Sequence, residues 1–169
     1  MKIAVTDACI FIDLIDLQLT TQFFGLDIEI HTTLDVYNEL FVVQQEWLNV
    51  YGSVGKLTIH NLTHEERTLI LNSSFPKSLS DNDKSVLYLA NKLDAIILSS
   101  DKAVRRFAKD KGIKYHGMLW IFDKLIEFKL LSKVNAILKI RQLVCNNIAY
   151  QNNMELNAEI AKRISEWQG

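Results

Sequence analysis

Four acidic residues, Asp7, Glu39, Asp83 and Asp101, are spread along the chain, each at a place where an α/β fold would turn a carboxylate toward a common point. Asp7 follows the run Lys2-Ile3-Ala4-Val5-Thr6, and Asp101 follows Ala95-Ile96-Ile97-Leu98-Ser99-Ser100. In parallel α/β sheets, ligands bind just beyond the carboxyl ends of the strands. Carboxylates gathered there repel one another unless a hard cation shares them. Mg²⁺ or Mn²⁺, with oxygen ligands and retained waters, is the usual choice. The chemistry expected of such a centre is metal-dependent attack on a phosphodiester.

Each acid also has a structural role when taken singly. Asp101 reads as a helix N-cap, Asp81 and Asp83 as first-turn residues favoured by the helix dipole, and Asp7 as a turn former at a strand end. Glu39 is harder to place that way, because it lies within Val36-Tyr37-Asn38-Glu39-Leu40-Phe41-Val42-Val43 with apolar neighbours about one helical turn away. The densest basic run is Lys102, Arg105, Arg106, Lys109, Lys111 and Lys114. Helical spacing puts several of these on one face, which suits phosphate contact beside the acids or an ordinary solvated surface. His60 and His64 stand four apart but straddle a strand end and a helix cap, so a zinc pair is not expected. No glycine-rich phosphate loop and no activated nucleophile motif is present.

The elements that must position the acids alternate between strand and helix from residue 1 to 117. Expected strands are 2–6, 28–31, 57–62, 95–99 and 113–116, with helices over 9–19, from Thr32 or Thr33 to about 50, 63–72, 81–92 and 102–111. Thr32 with Asp35 and Thr63 with Glu66 have capping-box spacing, Ser80 and Asp101 are caps, and Gly112 is a stop. The alternation predicts a parallel sheet covered by helices. Beyond Gly117 the pattern is helical. Leu156, Ile160, Ile164 and Trp167 form one apolar stripe after a cap at Asn152 or Asn153, and the stripe is expected to dock on the chain's own domain.

With 169 residues, of which 49% are hydrophobic and 23% charged, the chain is expected to form one globular domain. No apolar run approaches the roughly 20 residues of a membrane span. The start is strand-like, without a basic region and cleavage site, and Cys9 and Cys145 read as buried free thiols of a reducing compartment. The expected location is therefore cytoplasmic. A net charge of −1 argues against strong nonspecific nucleic-acid binding but leaves room for local contact.

Ile3-Ala4-Val5-Thr6-Asp7-Ala8 resembles the opening of a PIN domain, the PilT N-terminus nuclease domain. Thr33-Leu34-Asp35-Val36-Tyr37-Asn38-Glu39-Leu40 is similar to the second motif of that family. Leu79-Ser80-Asp81-Asn82-Asp83 with Val86-Leu87-Tyr88-Leu89-Ala90 is similar to the third, and Ile97 through Ala108 to the fourth. The third acid is Asp83 where many relatives have a glutamate after a glycine, here Asn82, and Ser99 stands where threonine is common. The resemblance covers residues 2–130 and, more loosely, the helical tail. It implies a three-layer α/β/α fold with a central parallel sheet, a PIN-like domain over 1–130 and a helical C-terminal extension over 131–169 packed on it.

The implied activity is that of a Mg²⁺- or Mn²⁺-dependent endoribonuclease. Asp7 and Asp101 would bind the metal directly, and Glu39 and Asp83 through water or as orienters of the nucleophile. Asp81 and Ser99 would lie in an outer position, and Lys102, Arg105 and Arg106 would contact RNA phosphates. The implied partners are an RNA substrate, an antitoxin protein neutralising a toxin, and a second copy in a homodimer, with no membrane. The competing expectation is a catalytically silent module that binds RNA or protein. A phosphoryl-receiver domain is disfavoured, because the third strand ends at His60-Asn61-Leu62 and not at an aspartate.

Overall fold

The computed structural model describes residues 2–169. Lys2–Thr6 (β1) is the centre of a five-stranded parallel sheet. Ile28–Thr33 (β2) and then Leu57–His60 (β3) extend it on one side, and Ile96–Leu98 (β4) and then Tyr115–His116 (β5) on the other. Ala4, Val5, Ile97 and Leu98 are fully buried, as a strand covered on both faces requires.

The connections are helical throughout. Ala8–Asp16 (α1) and Thr20–Phe24 (α2) join β1 to β2, and Leu34–Glu39 (α3) and Val42–Ser53 (α4) join β2 to β3. His64–Leu71 (α5) and Asp81–Lys92 (α6) carry the chain from β3 to β4, and Lys102–Asp110 (α7) leads to β5. Met118–Glu127 (α8), Lys133–Asn146 (α9), Ile148–Gln151 (α10) and Met154–Gln168 (α11) follow. Right-handed crossovers place successive connections on opposite faces when the strand order reverses, which happens between β1 and β4. The result is an α/β fold, a parallel sheet covered by helices, with a helical C-terminal segment.

Several elements differ from the sequence expectation. The helix expected over 9–19 ends at Asp16, and Gln18 at φ 56° turns the chain into the unforeseen α2. The helix expected to run to about 50 is two helices, because Leu40 and Phe41 are extended. Gln44 folds back to accept the Phe41 N–H at 2.9 Å, which starts α4 afresh. Thr33 alone caps α3. Thr32 belongs to β2, where its hydroxyl donates to the Thr6 carbonyl at 2.7 Å. β3, β4 and β5 are shorter than expected, and α10 was not foreseen. The two cysteines are not both buried: Cys9 is half-buried and Cys145 is exposed.

The tail docks on its own chain. Ile160 is buried, and Leu156, Ile164 and Trp167 are half-buried against the core. The Trp167 ring lies 6.3 Å from that of Phe122. One turn away, Arg163 grips both carboxylate oxygens of Asp123 at 2.9–3.1 Å. The buried Tyr150 hydroxyl meets Ser100 Oγ at 3.1 Å, tying α10 to the loop after β4. Among the described residues no helix is long and apolar enough to cross a membrane.

Candidate active site

The sheet order reverses between β1 and β4, and such switch points leave a crevice at the carboxyl ends of the strands. Two of the four acids stand at its edge. Thr6 is in register with Leu98, so Asp7 and Ser99, each one residue past its strand, lie opposite one another. The Ser99 hydroxyl donates to Asp7 Oδ2. Asp7 Oδ1 caps α1 by accepting the Ile10 N–H at 3.3 Å, and it also accepts the Cys9 thiol at 2.8 Å. Asp7 is only 6% exposed. Burial pushes its carboxyl up to about 6, against the lowering effect of these three donors, and the nearby charge of Asp83 adds to the rise. The Cys9 thiol is held protonated by burial and then by the charge of Asp7.

Ser99 also connects to the second acid. Its oxygen accepts the Asp101 N–H at 3.1 Å while its proton goes to Asp7. Asp101 caps α7, accepting the N–H groups of Ala103 and Val104 at 2.8 and 3.0 Å through Oδ1 alone. Its Oδ2 accepts no hydrogen bond among the described residues. The side chain is exposed at the crevice mouth.

The other two acids come from β2 and α6. Thr33 ends β2 and caps α3 by accepting the Val36 N–H at 3.2 Å. Its hydroxyl lies 2.8 Å from Ser85 Oγ, which itself donates to the Asn82 carbonyl at 2.6 Å. Ser85 has one proton, so Thr33 must be the donor of that pair. This chain fixes α3 against the first turn of α6. Glu39 is the last residue of α3, where the helix dipole disfavours an anion. It is exposed, and its Oε2 accepts the Asn82 amide at 3.0 Å. Asp83 is the N3 residue of α6, and its Oδ2 accepts the Ser80 N–H at 2.8 Å in a capping box.

The carboxylates thus form a linked series: Asp101 to Ser99 to Asp7, Asp83 close enough to act on Asp7 through its charge, and Glu39 bonded to Asn82, the residue before Asp83. None of the four has a basic partner among the described residues. Among the described residues no three His, Cys, Asp or Glu side chains converge as a complete metal cage. The donor set nevertheless suits Mg²⁺ or Mn²⁺. It is all carboxylate and hydroxyl oxygen, without imidazole or thiolate, and these ions bind through one or two carboxylates while keeping waters. Asp83, Asp101 and Glu39 each retain an oxygen that accepts no hydrogen bond among the described residues.

The structure does not bring Asp81 into this network. Its side chain is 98% exposed, 3.7 Å from Lys84. Lys102, Arg105 and Arg106 stand on α7 directly after Asp101. The apolar neighbours of Glu39 are only partly core: Val36 and Leu40 are buried. Phe41, Val42 and Val43 are exposed, and Val43, Trp47 and Val50 form an exposed apolar stripe on α4 that Val54, just past its end, continues.

Sequence reasoning missed several members of the site. Asn82 read as a departure from pattern, yet it holds Glu39, and Cys9 and Thr33–Ser85 support Asp7 and α3. His31 Nδ1 and His60 Nε2 meet at 2.8 Å across β2 and β3, a pairing that depends on strand register. Asp13, on the buried face of α1, is also pushed up to about 6, chiefly by burial. Its Oδ2 has no hydrogen-bond partner among the described residues.

A family model described as a PIN domain matches residues 3–155, so the match runs through α10 to the start of α11. Among solved structures the chain is similar to a domain of a functionally unknown protein from Methanocaldococcus jannaschii DSM 2661. That likeness has 21% identity, a TM-score of 0.48, and covers 69% of this chain and 91% of that one. It is also similar to a PilT N-terminus domain protein from Sulfolobus solfataricus P2, with 12% identity, a TM-score of 0.45, and coverage of 74% and 94%. No curated protein matches the chain. The chain belongs to the PIN-domain family, whose members are in general nucleases that use divalent metal.

Proposed function

We propose that this PIN domain is a Mg²⁺- or Mn²⁺-dependent endoribonuclease. The observation that carries the reading is the linked series of Asp7, Asp83, Asp101 and Glu39 at the strand-order switch point, with no basic partner among the described residues. Asp7 and Asp101 would hold the ion, with Asp83 and Glu39 acting through water. Bound there, the ion would supply Lewis acidity toward the phosphate and a lowered pKa for the attacking water.

The chain's own groups do the positioning. Ser99 orients Asp7 through Oδ2 and fixes the Asp101 backbone, so the two carboxylates keep their relative placement. Cys9 and the Ile10 N–H hold the other oxygen of Asp7. Asn82 anchors one oxygen of Glu39 and leaves Oε1 to orient water. Lys102, Arg105 and Arg106 bind substrate phosphate. A cytoplasmic location suits an RNA substrate. The toxin reading adds a protein antitoxin and a homodimer as partners, for which the exposed stripe on α4 offers a docking face.

Internally labelled RNA should be cut with Mg²⁺ or Mn²⁺ and left intact in EDTA. Asp7→Asn and Asp101→Asn should each lower the rate by at least about a hundredfold while the protein stays folded. Cleavage that persists in chelator, or that Asp101→Asn leaves unchanged, refutes the reading. Growth arrest on expression that disappears in Asp7→Asn tests the toxin role.

A further inference from the structure

A groove of about 840 Å³ runs from Asp101 between α7, the turn joining β5 to α8, and the C-terminal helices α10 and α11. That volume is within the roughly 300–1,000 Å³ usual for ligand sites. The groove reaches the carboxylates, because Cys9, Ser100 and Asp101 all line its inner end. Its two sides differ in charge. On the α7 side stand Lys102, Arg105 and Arg106, spaced to share one helix face, and none has a carboxylate partner among the described residues. On the tail side stand Glu155 and Glu159, and the one cation there, Arg163, is committed to Asp123 and Glu159. Aromatic rings lie between. His116 and Trp120 are stacked with centroids 4.4 Å apart and planes at 7°, and Arg105 lies 5.1 Å over the Tyr115 ring.

We propose that this groove seats a single-stranded polynucleotide segment beside the scissile phosphate, with its phosphates along α7 and its bases toward the aromatic rings and the C-terminal helices. The inference rests on the nuclease reading, since the groove leads to Asp101 and Asp7. Cations without a carboxylate partner among the described residues on one side, and glutamates on the other, give the strand a fixed sidedness. A basic track flanked by aromatic rings is how proteins hold single strands, whose bases are free to stack. A duplex hides its bases and carries phosphates on both strands. Its second strand would meet Glu155 and Glu159. The helical tail thereby becomes one wall of the substrate site.

Binding is read by fluorescence anisotropy of a short labelled oligonucleotide of mixed sequence, in EDTA so that nothing is cut. Ala149 is exposed and lines the groove from α10, whereas Ala161 is exposed on α11 and does not. Ala149→Glu should weaken single-strand binding by about tenfold or more, the loss of one stacked base or phosphate contact. Ala161→Glu, the same change on the same tail, should leave it unaltered. Arg106→Ala should reduce the slope of log affinity against log salt by about 0.7, one single-strand phosphate. The duplex of the same sequence should bind more weakly, and Ala149→Glu should not alter its binding. RNA and DNA single strands compared side by side show whether the groove also reads the 2′-hydroxyl, and binding of either with this variant pattern supports it.

Equal effects of Ala149→Glu and Ala161→Glu, with melting temperatures unchanged, overturn the inference, as does a duplex that binds as tightly as the single strand. The two readings fail separately. A protein that shows this variant pattern but cuts nothing with Mg²⁺ or Mn²⁺ keeps the groove and loses the nuclease. A metal-dependent nuclease indifferent to Ala149→Glu does the reverse.

Discussion

Replacing Asp7 by asparagine should make the metal-free protein more stable at neutral pH. Asp7 is buried, and its carboxyl is raised from 3.8 to about 6, burial being the main cause. About two pKa units at 1.36 kcal/mol each put roughly 3 kcal/mol of folding free energy on its ionisation. A group whose folded pKa lies above its unfolded value favours the fold fully below the unfolded value. That contribution is lost as pH rises through the folded one. Wild-type stability should therefore fall between about pH 4 and pH 7 by an amount that the asparagine variant does not share.

Asparagine can still accept the Ile10 N–H and cap α1. It gives up the bond its second oxygen accepts from Ser99, a loss of about 1 kcal/mol. The variant should then be slightly less stable than wild type near pH 4 and about 2 kcal/mol more stable above pH 7. Urea titrations in EDTA across that range measure the difference, and titrations common to both proteins, such as those of His31 and His60, cancel. Mn²⁺ in excess should reverse the order, because a ligand at a hundred times its Kd stabilises the protein that binds it by about 2.7 kcal/mol. A difference between the two proteins that is flat with pH, with asparagine less stable throughout, would show that Asp7 is a structural cap and would remove the basis for the site.

Thr33→Val removes both the cap of α3 and the link to Ser85. It should cost about 1–3 kcal/mol in denaturant titrations and slow cleavage by displacing Glu39. The His31–His60 pair should titrate below the usual 6.5, because burial, and for His60 also the neighbouring His31 and Lys92, disfavour the charged rings. Its contribution to stability is then present above pH 6.5 and lost as pH falls, and NMR titration of either ring at or above 6.5 contradicts this. Trp167→Ala should cost about 2 kcal/mol, less than a fully buried ring, and leave any dimer constant unchanged in sedimentation.

The parts of the fold legible in the sequence are those with local signals. Thr63 with Glu66, Ser80 and Asp101 cap the helices they were expected to cap, and Gly112 ends α7 at φ 70°. The alternation of strand and helix was enough to predict a parallel sheet. The break at Leu40–Phe41 carries no proline or glycine, and Val36 to Val43 reads as an unbroken helix. Only the side chain of Gln44 restarting the turn distinguishes it, and that is a tertiary choice of rotamer. The sheet order, the opposition of Asp7 to Ser99 and the meeting of His31 with His60 are matters of register, which no local pattern encodes.

The same distinction explains why the acids were easier to find than the groups that hold them. Capping and metal binding both ask for a short acid at an element end, so the two roles look like rivals in sequence. In the structure they use different oxygens. Asp101 caps α7 with Oδ1 and leaves Oδ2 open, and Asp83 closes its capping box with Oδ2 and leaves Oδ1 open. The cap fixes the carboxylate's direction, and a fixed carboxylate is what a hard cation needs. Asn82, by contrast, caps no helix, so no local pattern marks it. Its importance comes from reaching Glu39, which lies 43 residues away along the chain.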